Sequence, residues 1–347
     1  MIRKTQATEP LESQMKKAKV EEKKKQDGNF DTIISTGSTL LDLAISGGQI
    51  RGGGLPGGIL VEIFGPSGTG KTVLLCEIGG GIQRKKGDLM FHDPEGRLNK
   101  QFARMFDLDT DSINYTMPDT VTEVFSTIKD WDPKGSKING VCTDSLAALS
   151  TDMEMEKEEG DKMGMRRAKE FSEGLRKLCR HITKTNLLMV CSNQVRINVD
   201  AGAYGPKYTT PGGEAIGFYA SVRLRMARPE KIKKEEKVAG KIVKRYIGIE
   251  VEVEVFKNSV WKPYRTAPVV ILFDYGIDDV RANLQYIKDF TKNTTYTIGG
   301  ETLDVSMDKA IKIVEEDGLV KQLREEVIDL WEEIESKFDT NRKPKTR

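Results

Sequence analysis

The chain has 347 residues, 37% hydrophobic and 31% charged, with a formal net charge of +2. That apolar content supports two or three domains, or one large core with appendages, and no run approaches the roughly 18 apolar residues that a membrane-spanning helix needs. The near balance of charge excludes a global polycation, so contact with nucleic acid would have to come from local patches.

In chain order, residues 1–30 are polar and rich in Lys and Glu, with Leu11, Met15 and Ala18 as a thin helical stripe. They read as an N-terminal helix or arm available to an oligomer, or as a solvated tail. They hold no apolar signal-peptide core, which makes the cytoplasm the expected location. Residues 31–275 read as one α/β core. Strands are predicted at 58–65, 87–93, 138–145 and 186–194, alternating with helices at 71–86, 120–131 and 167–185. Such alternation implies a mostly parallel sheet with helices on both faces. The runs 221–228, 248–258 and 267–274 follow without helices and read as an antiparallel extension, with 229–245 as a charged hairpin. Residues 276–336 read as a small α-rich C-terminal domain containing a hairpin near 294–303, and 337–347 as a basic disordered tail. Cys76, Cys142, Cys179 and Cys191 lack any C-x-x-C spacing and sit in apolar contexts, so buried reduced thiols are expected. His92 and His181 have no companions that would make a zinc site.

The sharpest motif is "GPSGTGKT", comprising Gly65, Pro66, Ser67, Gly68, Thr69, Gly70, Lys71 and Thr72, which fits G-x-x-x-x-G-K-[ST] between a buried strand and a helix. The glycines let successive N–H groups converge on phosphate oxygens, and the helix N-terminus adds its positive dipole. Lys71 supplies charge for the β/γ-phosphates of a nucleotide such as ATP, and Thr72 a hydroxyl for Mg²⁺. A second acidic residue must complete the magnesium shell. Asp144 closes the strand 138–145, at the carboxyl end where ligands bind in such sheets, and fits that metal role better than that of a surface acid. Glu95 follows the strand 87–93 and would face the same crevice, as a carboxylate able to orient the attacking water or take its proton. The run 193–213, "NQVRINVDAGAYGPKYTTPGG", is a long loop without apolar periodicity. Loops of that length in compact domains are functional or disordered.

Further segments appear in fixed order: "STGSTLLD", the P-loop, "DPEG", "TDSLAAL", "CSNQVR", "GGEAIGFYASVRLRM" and "FKNSVWK". Taken together they resemble the RecA family of DNA recombinases over about residues 31–275, and more loosely beyond. The resemblance implies a RecA-type P-loop NTPase core and an ATP- and Mg²⁺-dependent enzyme. It would form a helical homo-oligomeric filament on single-stranded DNA and pair that strand with homologous duplex DNA, with no membrane partner. It implies Glu95 as the water-activating residue, Asn99 and Phe102 beside the adenine, and Gln194 as the sensor of the γ-phosphate. It also implies Lys257 as a cation reaching a neighbour's ATP. Two DNA-binding loops would lie at about 153–166 and 196–211. Val199 would wedge between bases, and Gly212 and Gly213 would meet phosphates. Arg166, Arg167, Lys169, Arg176 and Arg196 are the basic candidates for the same surface. Tyr204 and Tyr208 could stack on bases or touch nothing.

The chain departs from the family pattern at Ser259, where a second in-trans lysine is usual, and at Gly217, where an interface lysine is usual. One in-trans cation leaves less charge on the transition state, so slower or differently regulated hydrolysis is expected. The N-terminal strand of the family also has no counterpart. The alternatives are an ATP-binding regulator with this fold and a ring-shaped DNA motor.

Overall fold

The computed structural model describes residues 32–135, 137–150, 163–197, 208–209, 214–340 and 342. At 102, 147, 163–170, 196–197, 208–209 and 214 it describes the backbone alone. A ten-stranded sheet organises these residues, in the order β14, β13, β12, β10, β3, β7, β6, β4, β5, with β11 paired only to β12. Here β3 is Leu60–Gly65, β4 Leu89–His92, β5 Ile113–Thr116, β6 Gly140–Thr143 and β7 Leu188–Gln194. The other members are β10 at Val222–Met226, β11 at Glu230–Val238, β12 at Lys241–Asn258, β13 at Thr266–Leu272 and β14 at Gly276–Ile277. Two short strands, β1 (Ile33–Ile34) and β2 (Leu55–Pro56), form a separate ribbon, as do β8 (Arg196–Ile197) and β9 (Tyr208–Thr209).

The expectation of an antiparallel extension from 221 onward needs one correction. β10 runs parallel to β3, with Val222 opposite Val61, and only β12, β13 and β14 reverse direction. The reason is covalent: α6 (Glu214–Tyr219) precedes β10 and supplies the crossover that a parallel strand requires. Strand β5, parallel to β4 at the sheet's edge, has no counterpart among the strands predicted from the sequence. Its four residues INYT are all partly or fully exposed, so they carry no apolar run to read.

Helices cover both faces. On one face α4 (Val121–Asp130) and α5 (Met163–Thr185) pack Val124, Ile128, Phe171, Leu175 and Leu178 onto Leu60, Met90, Val141 and Met189. Phe125 and Phe171 meet edge to face at 6.4 Å. α4 is N-capped by Thr120, whose side chain accepts from the Glu123 N–H. The helix expected from 167 starts at Met163, which places Arg166 on α5 instead of in the preceding loop.

On the other face lies α2 (Lys71–Arg84), which carries three consecutive glycines, Gly79 to Gly81. Helix-interior glycine costs about 1 kcal/mol against alanine, and packing explains its use here. A methyl group at Gly80 would lie 2.2 Å from the Asp107 carbonyl oxygen, and one at Gly81 2.8 Å from that of Ser35.

After the sheet come α7 (Asp279–Thr291), the hairpin β15–β16 (Tyr296–Ile298 and Glu301–Asp304), α8 (Met307–Glu316) and α9 (Val320–Ser336). Asp279 accepts from both the backbone N–H and the hydroxyl of Thr39, each at 2.7 Å, tying α7 to the N-terminus of α1 (Thr39–Asp42). Asp278 caps α7 through the Arg281 N–H at 3.0 Å. Arg51 meets Glu325 and Asp329 of α9 at 2.9 and 2.8 Å, at a half-exposed site where such pairs contribute little. Among the described residues, no helix is long and apolar enough to cross a membrane.

Helix propensity alone would make Gly80→Ala stabilising. The fixed Asp107 carbonyl reverses the sign, and a net loss of about 1–3 kcal/mol is expected from overpacking. Urea unfolding of the two proteins measures it, and a gain in stability would show that α2 tolerates a wider spacing.

Candidate phosphate-binding site

Strand β3 ends at Gly65 and α2 begins at Lys71, and the five residues between them turn the chain. Gly68 and Gly70 hold φ of +74° and +89°, in the left-handed region that glycine adopts without strain. A Cβ at Gly70 would also stand 2.4 Å from Ile271 Cδ1 of β13. Pro66, Ser67 and Gly68 are exposed, while Thr69 is buried and donates from its hydroxyl to the Pro66 carbonyl at 3.1 Å. The result is a concave turn of backbone N–H groups at a helix N-terminus, the physical requirement for holding an anion.

Lys71 folds back over this turn and donates from Nζ to the carbonyls of Gly65 and Pro66, at 3.1 and 2.7 Å. Burial lowers its pKa, and the charges of Asp144 and Glu95 oppose that shift. Thr72 donates from its hydroxyl to Asp144 Oδ2 at 2.5 Å. The other oxygen of Asp144 accepts a short hydrogen bond from Ser192. Across the cleft, Glu95 accepts from Ser145 Oγ at 2.8 Å and pairs with Arg97 at 2.6 Å. Together the loop residues 67–73 with Glu95, Arg97, Asp144, Ser145 and Gln194 line a cavity of about 210 Å³. A loop of donors, a cation, and a hydroxyl–carboxylate pair in one cleft fit a magnesium-bound polyphosphate.

The strand register produces this convergence. Gly65 of β3 lies opposite Gln194 of β7, and Thr143 of β6 opposite Cys191. Asp144 therefore emerges beside Ser192. Sequence reasoning does not single out Ser145, Ser192 or Arg97. Ser145 adjoins Asp144 in sequence, but only the β6–β7 register reveals Ser192.

The remaining candidates are placed differently. Asn99 is exposed and its side-chain oxygen accepts from the Gln101 N–H at 3.0 Å at the start of α3 (Lys100–Arg104). Phe102 lies on α3, with only its backbone described. Lys257 does not line the cavity. It sits on β12 opposite Arg223 and donates to the carbonyls of Gly217 and Phe218 at 2.9 and 2.8 Å. Arg166, Arg167 and Lys169 belong to the first turns of α5, and Arg176 is exposed further along it. Arg196 opens the β8–β9 ribbon, opposite Thr209. Val199, Tyr204, Gly212 and Gly213 lie outside the described residues.

Behind the cavity runs a buried polar relay. Asn193 donates to Glu62 Oε1 at 2.9 Å, and Arg223 donates from Nε to Glu62 Oε2 at 2.5 Å. The Glu62 side chain is 0% exposed and that of Arg223 16%. The guanidinium also lies over the Phe64 ring, 4.6 Å from its centroid. The Gln194 N–H donates to Asn193 Oδ1 at 3.0 Å, so the relay reaches the rim of the site.

A mostly parallel sheet carrying such a loop on its carboxyl edge defines a P-loop fold. The family model for the RecA N-terminal domain matches residues 4–278. Protein RecA of Delftia acidovorans (strain DSM 14801 / SPH-1) is 33% identical over 304 residues, covering 86% of this chain and 78% of that protein. The crystal structure of the RadB recombinase is similar with a TM-score of 0.49 at 20% identity, covering 71% of this chain and 98% of that one. The chain belongs to the RecA family, and its function is that family's work in recombination and repair.

Removing one partner of a buried ion pair leaves an uncompensated charge, so Arg223→Ala is expected to lose about 3–5 kcal/mol of stability. Adding Glu62→Gln is expected to return part of it. Chemical denaturation of the single and double variants tests this. Equal losses in both would mean that the Arg223 contribution is packing on Phe64, with no role for charge.

Proposed function

We propose that this protein is an ATP-dependent recombinase. It binds single-stranded DNA as a helical filament of its own copies and pairs that strand with homologous duplex DNA. The observation that carries the reading is the single cleft in which Lys71, the Thr72–Asp144 pair and Glu95 face one another. ATP with Mg²⁺, when bound, supplies the electrophilic γ-phosphorus and neutralises phosphate charge. The chain's residues do the rest. The N–H groups of the 65–72 loop would hold phosphate oxygens, and Lys71, here bonded to the Gly65 and Pro66 carbonyls, would supply their cation. Thr72 and Asp144 would hold the metal. Glu95 orients the attacking water and accepts its proton, and its bonds from Ser145 and Arg97 fix its direction. Gln194, exposed at the end of β7, reports the γ-phosphate to the segment beyond it.

The cleft of about 210 Å³ is lined by the phosphate-binding groups, and the nucleoside would extend past it. Asn99 and Phe102 would meet the adenine from one side, and a neighbouring copy, with its Lys257, would close the other. Ser259 is exposed, and its N–H donates to the Ser221 carbonyl at 2.8 Å. A lysine at that position could extend beside Lys257. The DNA would be gripped by Arg166, Arg167, Lys169, Arg176 and Arg196, with Val199 against bases and Gly212 and Gly213 on phosphates.

Lys71→Ala is expected to abolish ATP binding. Glu95→Gln is expected to keep binding and lower hydrolysis by about 10²–10⁴-fold. Ser259→Lys is expected to raise hydrolysis on single-stranded DNA, read in a steady-state phosphate-release assay. Electron microscopy with single-stranded DNA and a non-hydrolysable ATP analogue should reveal extended helical filaments. Closed rings would replace this reading with a DNA motor, and unassembled protein with a regulator.

A further inference from the structure

Arg97 brings a second cation into the phosphate cleft. Among the described residues, Lys71 and Arg97 are the basic side chains that line it, and Glu95 and Asp144 the carboxylates. The four formal charges cancel. Without Arg97, Lys71 would face both carboxylates alone, before any phosphate arrived. Lys257 does not line the cleft, so it offers no help within its own chain.

The loop that carries Arg97 is a fixed mount. Asp93, buried just past β4, accepts from the Arg97 N–H at 3.1 Å on one carboxylate oxygen. Its other oxygen accepts from the Leu98 N–H at 2.7 Å and from the Tyr115 hydroxyl at 2.9 Å. The Asp93 carbonyl accepts from the Gly96 N–H at 3.0 Å. Gly96 takes φ of +62°, in the left-handed region that glycine adopts without strain. The backbone is thus held on both sides of Arg97, while its side chain reaches back to Glu95. Arg97 Nη1 lies 2.6 Å from Glu95 Oε2, and the two side chains are 78% and 17% exposed. A pair with so exposed a cation contributes little to stability, so the fold gives little reason for it. The pair occupies Nη1 alone; Nε and Nη2 make no bond among the described residues.

We infer that Arg97 is a catalytic cation acting within its own chain, its guanidinium bridging Glu95 and the γ-phosphate of bound ATP. This role rests on the ATPase reading proposed above. A catalytic base lies about 2.6–3.2 Å from the water it activates, and that water about 3–3.5 Å from the phosphorus it attacks. A planar fork with one nitrogen on Glu95, in the same cleft, is therefore close enough to set its next nitrogen on a γ-oxygen. In the step, the water oxygen bonds to the γ-phosphorus, and the bond from phosphorus to the β–γ bridging oxygen breaks. ADP leaves with that electron pair, and the water's proton passes to Glu95. Arg97 stays protonated throughout and neutralises charge spread over the transferring oxygens. A lysine would bring the charge as a point, without the fork that serves two acceptors in one plane.

The test uses the full-length protein and reads binding apart from turnover. Calorimetry measures affinity for a non-hydrolysable ATP analogue and for ADP with aluminium fluoride, a mimic of the transferring phosphoryl group. Arg97→Ala is expected to keep the first within about threefold and to weaken the second by about 10²–10³-fold, the loss of one transition-state donor. On single-stranded DNA, kcat should fall by a similar factor with KM nearly unchanged. Arg97→Lys should recover only part of that loss. Added ethylguanidinium should raise hydrolysis by Arg97→Ala and not by Glu95→Gln. Equal loss of both affinities would make Arg97 a ground-state phosphate ligand and overturn the inference. A fall in kcat with the aluminium fluoride affinity intact would also overturn it, leaving Arg97 to position Glu95 alone. Unchanged affinities and kcat would reduce the contact to a surface ion pair. A wild type that binds nucleotide but never hydrolyses it would sink the ATPase reading, and the two affinities would still decide the role of Arg97.

Discussion

The parallel register of β3, β7 and β6 is the constraint on which the phosphate-binding edge depends. It sets Gly65 beside Gln194 and brings Asp144 next to Ser192. Three segments far apart in sequence thereby end on one line. A slip of one residue would turn each of these side chains to the opposite face of the sheet. The buried core on both faces prevents that slip, because Leu60, Val141 and Met189 must point together at α4 and α5. Packing of apolar residues thus aims the polar ones.

The relay of Asn193, Glu62 and Arg223 extends this logic to the other side of β3. A carboxylate at 0% exposure is costly unless it is fully paired. Here two donors hold it, one from β7 and one from β10. The relay joins the strand that ends in Gln194 to the strand that lies beside Lys257. The relay thus runs by continuous hydrogen bonds from the rim of the cleft to β10. β10 is the strand at which the sheet changes direction, parallel to β3 on one edge and antiparallel to β12 on the other.

Much of this is legible in the sequence, for reasons that differ by element. The loop 65–72 is legible because phosphate binding needs glycine, lysine and threonine at fixed offsets. Strand β7 and helix α5 are legible from apolar run and periodicity. Strand β5 is not, because an exposed edge strand of four residues carries no apolar pattern. The direction of β10 escapes the sequence because its residues alternate as an antiparallel strand would, and direction depends on the crossover before it. The glycine run in α2 looks like a weak point of the helix. Its use appears only when the Asp107 and Ser35 carbonyls are seen against it.

The sequence by itself determined the chemistry available: the phosphate loop, the carboxylates Asp144 and Glu95, and the family. Those are local properties, written in residue type and short spacing. The tertiary structure alone decided which groups meet. It paired Ser145 and Arg97 with Glu95, and Ser192 with Asp144. It kept Lys257 away from its own chain's cleft. The reason is strand register and strand order. Both are set by how buried surfaces fit across the whole sheet, and no short stretch of residues contains that information.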